Sequence, residues 1–270
     1  MKRRKKLYNY YLSVIGIFFM FSLNIPVGAE ERLDNNDQNI KGTVTDIDGN
    51  EYKTVNIGNQ EWMAENLRTT RYKDSSNIED GLSHAKWANI EEGAYSVFPH
   101  ENVDDIDSRQ EMVKAYGKLY NWYTVADTRG ICPEGWHVPS DDEWSELINY
   151  IINNYADIDE YNIGNALKSC RQVDSPLGGD CDTNKHPVWV SHKKHYGTDN
   201  FGFSALPGGY RSYNGIYYNI GNSGFWWTST QSLLFTVWGR SLSYRKGTLE
   251  KGNDYENVGF SIRCLRYIED

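Results

Sequence analysis

Apolar and polar residues alternate with a period of two in three separated stretches of the chain. Thr43-Val44-Thr45 and then Tyr52-Lys53-Thr54-Val55-Asn56-Ile57 flank a polar run, residues 46–50, that carries Asp48-Gly49. Alternation on both sides of an Asp-Gly turn predicts a β-hairpin. Gly58-Asn59 predicts a second turn, with Glu61-Trp62-Met63 continuing as a strand. Near the C-terminus residues 225–230, 235–238 and 258–265 read as strands of four to eight residues. Residues 201–211 hold too much Gly and Pro for a helix. Helical spacing appears twice. Ala115, Leu119, Trp122 and Ala126 recur at i, i+4, i+7 and i+11, which predicts a short helix. Trp144, Leu147, Ile148 and Ile151 share one face of a second helix, ending near Asn153-Asn154. Its start is marked by Ser140-Asp141-Asp142-Glu143, a capping box with acidic residues in the first turn, where the positive end of the helix dipole favours them. Two short helices and a β-rich, loop-heavy second half predict an α+β fold. No internal repeat divides it, so residues 41–270 read as a single domain.

The N-terminus follows another pattern. Five basic residues, Lys2 to Lys6, precede an uncharged stretch from Leu7 to Ala29 with an apolar centre. Val27-Gly28-Ala29 has the small-x-small form of a cleavage site, and Glu30-Glu31 turns acidic at once. Residues 1–29 are therefore read as a secretory signal peptide and residues 30–40 as a polar linker. No other segment is apolar enough to cross a bilayer, so no membrane insertion is expected after cleavage. Cleavage removes five of the 28 basic residues and none of the 37 acidic ones, so the net charge moves from −9 to −14. An exported chain this acidic is a poor partner for nucleic acid.

Four cysteines in an exported protein predict two disulfides, for which three pairings exist. Cys170 and Cys181 enclose a turn-rich loop that closes easily, which leaves Cys132 to pair with Cys264. In the chain-entropy description the long loop contributes about 4–5 kcal/mol and the short one about 3.

Several blocks, in order, resemble the Fibrobacter succinogenes major paralogous domain, a family of exported bacterial proteins. Residues 44–50 and 57–67 are similar to its opening. Tyr116-Gly117-Lys118-Leu119-Tyr120 and residues 132–144 are similar to its centre. Residues 202–211, Trp227-Thr228-Ser229-Thr230 and Ser261-Ile262-Arg263-Cys264 are similar to its end. The resemblance implies a layout like the C-type-lectin-like fold, which is shared with formylglycine-generating enzymes. That layout has two helices, a looped-out sheet and a late disulfide reaching the last strand. The resemblance implies no particular activity.

Candidate chemistry is sparse. An oxidase of the formylglycine type needs a pair of reactive thiols, whereas these cysteines read as disulfides. No Gly-x-Ser-x-Gly elbow is present. His186, His192 and His195 lie close together, but Lys185, Lys193 and Lys194 among them repel a cation, so the stretch reads as a solvated loop. Trp136-His137 reads as core, with a backbone partner for the histidine. Asp46-x-Asp48-x-Asn50 begins like a calcium loop, but its glycine falls too early and no glutamate stands at the twelfth position, so it reads as a turn. The Pro-containing triplets of calcium-dependent sugar chelation do not occur, and no cofactor is expected.

What stands out is residues 210–227, dense in Tyr, Trp, Asn and Gly. Aromatic faces stack on sugars or apolar groups, amides give directed hydrogen bonds, and glycine allows close approach. Tyr210, Trp226 and Trp227 lie within family blocks and are expected in the core. Arg211, Tyr213, Tyr217, Tyr218 and Asn219 are the candidate ligand-binding residues. The expected function is that of an exported, non-catalytic binding module for a glycan or protein. The alternatives are a surface-assembly protein without a small ligand, or an enzyme related to the formylglycine-generating ones.

Overall fold

The computed structural model describes residues 40–268; the predicted signal peptide and all but the last residue of the linker lie outside them. The first sheet has the order β1-β2-β3-β11, from β1 (Ile40–Thr45), β2 (Glu51–Ile57), β3 (Gln60–Met63) and β11 (Leu265–Tyr267). Both predicted turns close its antiparallel pairs: Thr45 faces Glu51 across residues 46–50, and Ile57 faces Gln60 across Gly58-Asn59. The Asp46 and Asp48 carboxylates are spent on this local structure. Asp46 accepts from the Asp48 and Asn50 amides, the Asn50 side chain and the Tyr52 hydroxyl, and Asp48 accepts from Thr70 and Arg71. Because β11 pairs with β3, the two ends of the domain share one sheet.

The second sheet has five strands in the order β10-β9-β8-β6-β7: β6 (Gly208–Arg211), β7 (Tyr217–Ile220), β8 (Ser223–Leu233), β9 (Thr236–Ser243) and β10 (Glu250–Tyr255). All its pairs are antiparallel except β6–β8. Two short strands, β4 (Tyr95–Ser96) and β5 (Leu119–Tyr120), pair with each other. The sequence expectation for residues 258–265 differs from what forms. Only Leu265 belongs to a ladder, and Gly259, Phe260 and Ser261 make isolated bridges to Arg211, Tyr120 and Trp226. This segment is buried throughout and threads between layers, so its alternation reports burial rather than membership of one sheet.

Five helices occur among the described residues, where two were expected: α1 (His84–Ala88), α2 (Arg109–Tyr116), α3 (Trp122–Ala126), α4 (Asp141–Asn154) and α5 (Ile163–Leu167). The helix predicted over residues 115–126 does not form. Gly117, at φ 79°, ends α2, strand β5 intervenes, and α3 starts afresh under an Asn121 cap. The helical spacing there is a coincidence across a break. α4 forms as predicted, with the complete Ser140–Glu143 capping box and Trp144, Leu147 and Ile151 fully buried.

α4 packs between the two sheets. Trp144 lies 4.7 Å from Trp62 of β3 and 6.5 Å from Trp226 of β8, ring centre to ring centre, and Phe203 closes the group at 5.7–5.9 Å from Trp62 and Trp144. A second core cluster holds Tyr52, Met63, Tyr120, Trp227 and Phe260 around the Cys132–Cys264 disulfide. Cys170 pairs with Cys181, as predicted. Asp141, buried at the start of α4, binds Arg240 of β9 at 2.6 Å and Lys251 of β10 at 2.7 Å, which anchors the helix to the sheet edge. Among the described residues no helix is long and apolar enough to cross a membrane.

Candidate functional site

The β6–β7 hairpin carries the predicted ligand-binding residues, and its register separates them. Tyr210 faces Tyr218 and Arg211 faces Tyr217 across the pair. Tyr218 stacks on Tyr210 at 5.5 Å with the rings 31° apart, and Tyr210 meets Phe225 of β8 edge-on at 5.0 Å. Tyr217 projects to the other side. It meets Phe98 at 5.4 Å and packs with Ile220 against the Val97, Phe98, Met112 and Tyr116 cluster. Asn219, at φ +66° between them, breaks the strict alternation, so Tyr217 and Ile220 both pack inward while Tyr218 remains exposed. Adjacent tyrosines of one strand thus serve different roles.

Arg211 departs from expectation most. It is 2% exposed. Its guanidinium lies 4.2 Å from the Trp87 ring centre and 5.0 Å from that of Tyr217, and it donates to the Gly215 carbonyl at 3.0 Å and the Leu82 carbonyl at 2.8 Å. It holds the hairpin turn onto the loop before α1, a role in the fold rather than at an open surface. Tyr213 is exposed and meets Tyr255, also exposed, edge-on at 5.7 Å. Asn219 is exposed. Of the five predicted residues, Tyr213, Tyr218 and Asn219 can reach solvent fully.

Trp226 and Trp227 are fully buried, as expected, whereas Tyr210 is only half-buried; with Phe225, also half-buried, and Tyr218 it forms an aromatic row across three strands. Ser241 of β9 stands opposite Phe225 and continues that row. Asp254 of β10 is close enough to influence the Tyr210 hydroxyl; burial first, then this carboxylate, raises the Tyr210 pKa. A period of two puts Phe225 on the face of Trp227, which is fully buried, so the sequence carries no signal that Phe225 is half-open. None exists for Tyr210 against Tyr218 either, because their pairing depends on the register of the hairpin.

A groove elsewhere on the molecule holds buried charged groups. Two contiguous depressions of about 400 and 650 Å³ share Lys114, Ala115 and Pro187 in their walls. At one end Asp199, 5% exposed, accepts from the Ser204 amide and hydroxyl. Burial pushes its pKa up to about 6 against those hydrogen bonds. Behind it Arg263, fully buried, donates to Asn66 and to the carbonyls of Phe203 and Ser204, and burial draws its pKa down to about 9. Asn66 spends every polar atom on Trp226, Arg263, Tyr116 and Ser261. Asn66 and Arg263 are tied on every polar atom and form a structural knot, whereas Asp199, bonded only to Ser204, also lines the depression. At the other end His186 Nδ1 meets the Tyr116 hydroxyl at 2.5 Å.

The other histidines do not join it. His192 Nδ1 accepts from the Lys194 and His195 amides and its ring stacks on His195 at 4.9 Å. His137 corrects the sequence reading of a core histidine. Its backbone pairs with Leu265, but its side chain is exposed and bonds Glu143 at 2.6 Å. No group of three His, Cys, Asp or Glu side chains converges on a metal position among the described residues.

A mostly β, mixed α+β domain with its ends in one sheet, two disulfides and an aromatic hairpin is what the chain builds. Residues 55–266 match the family model of the Fibrobacter succinogenes major domain, and the chain belongs to that family. No curated protein and no solved structure matches it.

Proposed function

We propose that this chain is an exported, non-catalytic binding module with a C-type-lectin-like layout, and that its ligand face is the row Tyr218–Tyr210–Phe225 extended by Tyr213 and Asn219. The observation that carries the reading is the half-open aromatic row: Phe225 is backed by Phe260 at 5.1 Å, the exposed Tyr218 is the ring open to the apolar side of a sugar, and Asn219 and Ser241 flank the row with polar groups. Export is supported by the basic and apolar N-terminal pattern and by two disulfides. The lectin-like layout is supported by β1 and β11 lying in one sheet and by a disulfide that ties the segment before α4 to the residue preceding the last strand.

A screen of neutral glycans against the oxidised protein, with and without EDTA, tests this. Binding lost in Tyr218→Ala and retained in Tyr217→Ala is expected. Binding lost equally in both variants, or no binding by the folded protein, overturns the glycan reading; sensitivity to EDTA introduces calcium.

The tip of the β8–β9 hairpin favours a second reading. Leu233, Leu234 and Phe235 are 72%, 81% and 64% exposed, and three such consecutive residues support a contact with another protein. Under this reading Leu234→Ser/Phe235→Ser abolishes a protein–protein contact and leaves the thermal midpoint unchanged.

A further inference from the structure

A third depression, of about 630 Å³, lies where β9 turns into β10 against the start of α5, away from the aromatic row. Its walls include Asn162, Asn165, His195 and Thr248, and Tyr161 at its lip is 69% exposed. Three polar atoms of these residues, Asn165 Oδ1, His195 Nδ1 and Thr248 Oγ1, are buried and make no hydrogen bond. Each has less than 1 Å² of accessible surface, so a polar partner in the depression meets them only with a small movement of the wall.

The charges of the depression are unevenly satisfied. Asp159 accepts from the Tyr161 and Asn162 amides, and Glu250 pairs with Lys246 at 2.6 Å. Lys194 and Arg245, both exposed, have no carboxylate partner among the described residues. Arg245 donates instead to the Tyr244 hydroxyl at 2.6 Å. Behind the wall lies Lys168, 1% exposed, whose pKa burial draws down to about 7. Its ammonium donates to the carbonyls of His195, Ser243 and Lys246 at 2.6–3.1 Å. These three carbonyls belong to segments that form the depression, so Lys168 fixes its shape. The hollow thus joins two cations without an ion-pair partner among the described residues, Lys194 and Arg245, to amides, a hydroxyl and an exposed ring, with the Asp159 carboxylate in the same wall.

We propose that this depression is a second binding site, specific for an acidic sugar. The sugar's carboxylate or sulfate would meet Lys194 and Arg245, its hydroxyls Asn162, Asn165 and Thr248, and its ring face Tyr161. Cations provide the attraction, and the unpaired polar atoms provide the preference for a hydroxylated ring over a simple anion.

Titration calorimetry of the oxidised protein with oligogalacturonate, with a heparin-derived oligosaccharide and with neutral dextran tests this. One or both acidic probes are expected to bind and dextran is not; whichever binds identifies the anion as carboxylate or sulfate. Lys194→Ala/Arg245→Ala should weaken binding at least tenfold, and raising the salt concentration should weaken it in the parent protein. Thr248→Val, which keeps the charge, should weaken it several-fold, whereas Tyr218→Ala on the aromatic row should leave it unchanged. Binding of neither acidic probe overturns the proposal, as does binding that survives Lys194→Ala/Arg245→Ala. Loss in Tyr218→Ala alone places the acidic sugar on the aromatic row and also overturns it. The neutral-glycan screen reads the aromatic row separately, so either site can fail without the other.

Discussion

Arg211 shows how one side chain can change meaning with its surroundings. In the sequence it stands among tyrosines and asparagines, as a hydrogen-bond donor for a ligand would. In the fold its planar guanidinium is stacked between Trp87 and Tyr217, with two carbonyls taking its protons. Arg211→Ala removes that stacking and leaves the Leu82 and Gly215 carbonyls without a partner. A loss of about 3 kcal/mol in urea unfolding is expected. A ligand-binding arginine on the surface would change affinity and leave stability almost untouched, so the two roles separate in one experiment. Glu143 is the second informative residue. Burial opposes its ionisation, but hydrogen bonds from His137 and from the Ser140 amide and hydroxyl hold its pKa down to about 2, from an ordinary 4.5. A depressed carboxylate stabilises the fold above its unfolded pKa, and that contribution is lost as the pH falls from about 4.5 towards 2. Glu143→Gln is therefore expected to lower the thermal midpoint at pH 7 and to flatten its fall between pH 4.5 and 2. An unchanged acid limb would show that other carboxylates govern it.

Among the elements, the break between α2 and α3 decides what the centre of the chain can do. Gly117 has φ 79° and ψ −158°, and a Cβ there would lie 2.6 Å from Asn66 Cβ and 3.1 Å from two backbone oxygens. Only glycine fits, because the conformation disfavours a side chain and the space is taken by the residue that organises Trp226 and Arg263. Gly117→Ala is expected to cost at least about 2 kcal/mol, measured by denaturant unfolding with the slope unchanged. A neutral result would mean that the Asn66 knot is soft. The predicted helix over residues 115–126 failed at this same point. Its apolar spacing was real, but periodicity counts side chains and does not sense that one residue needs a left-handed backbone. α4 was legible from end to end because cap, first-turn acids and apolar face all lie within fourteen consecutive residues and agree.

For the molecule as a whole, the two disulfides do unequal work. Cys132–Cys264 spans a separation of 132 residues inside the core, whereas Cys170–Cys181 spans 11 in a loop already tied by backbone bonds between Gln172 and Cys181 and between Thr183 and Gln172. Replacing the long pair by alanines is expected to destabilise by about 4–5 kcal/mol, and replacing the short pair by about 3 or less. Thermal midpoints of the two double variants check the order; equal shifts would show that the chain-entropy difference is offset by packing. What the sequence determined by itself was local: the hairpin turns, the capping box, the aromatic density of residues 210–227 and, from the ease of closing an 11-residue separation, the disulfide pairing. These depend on neighbours a few residues apart, whose physics is complete before the chain folds. The tertiary structure alone decided that Tyr218 faces outward and Tyr217 inward, that Arg211 is sealed by Trp87 and the Leu82 carbonyl more than 120 residues away, and that Asn165, His195 and Thr248 share one hollow. Those outcomes follow from register and from long-range burial, and a linear pattern of residues carries neither.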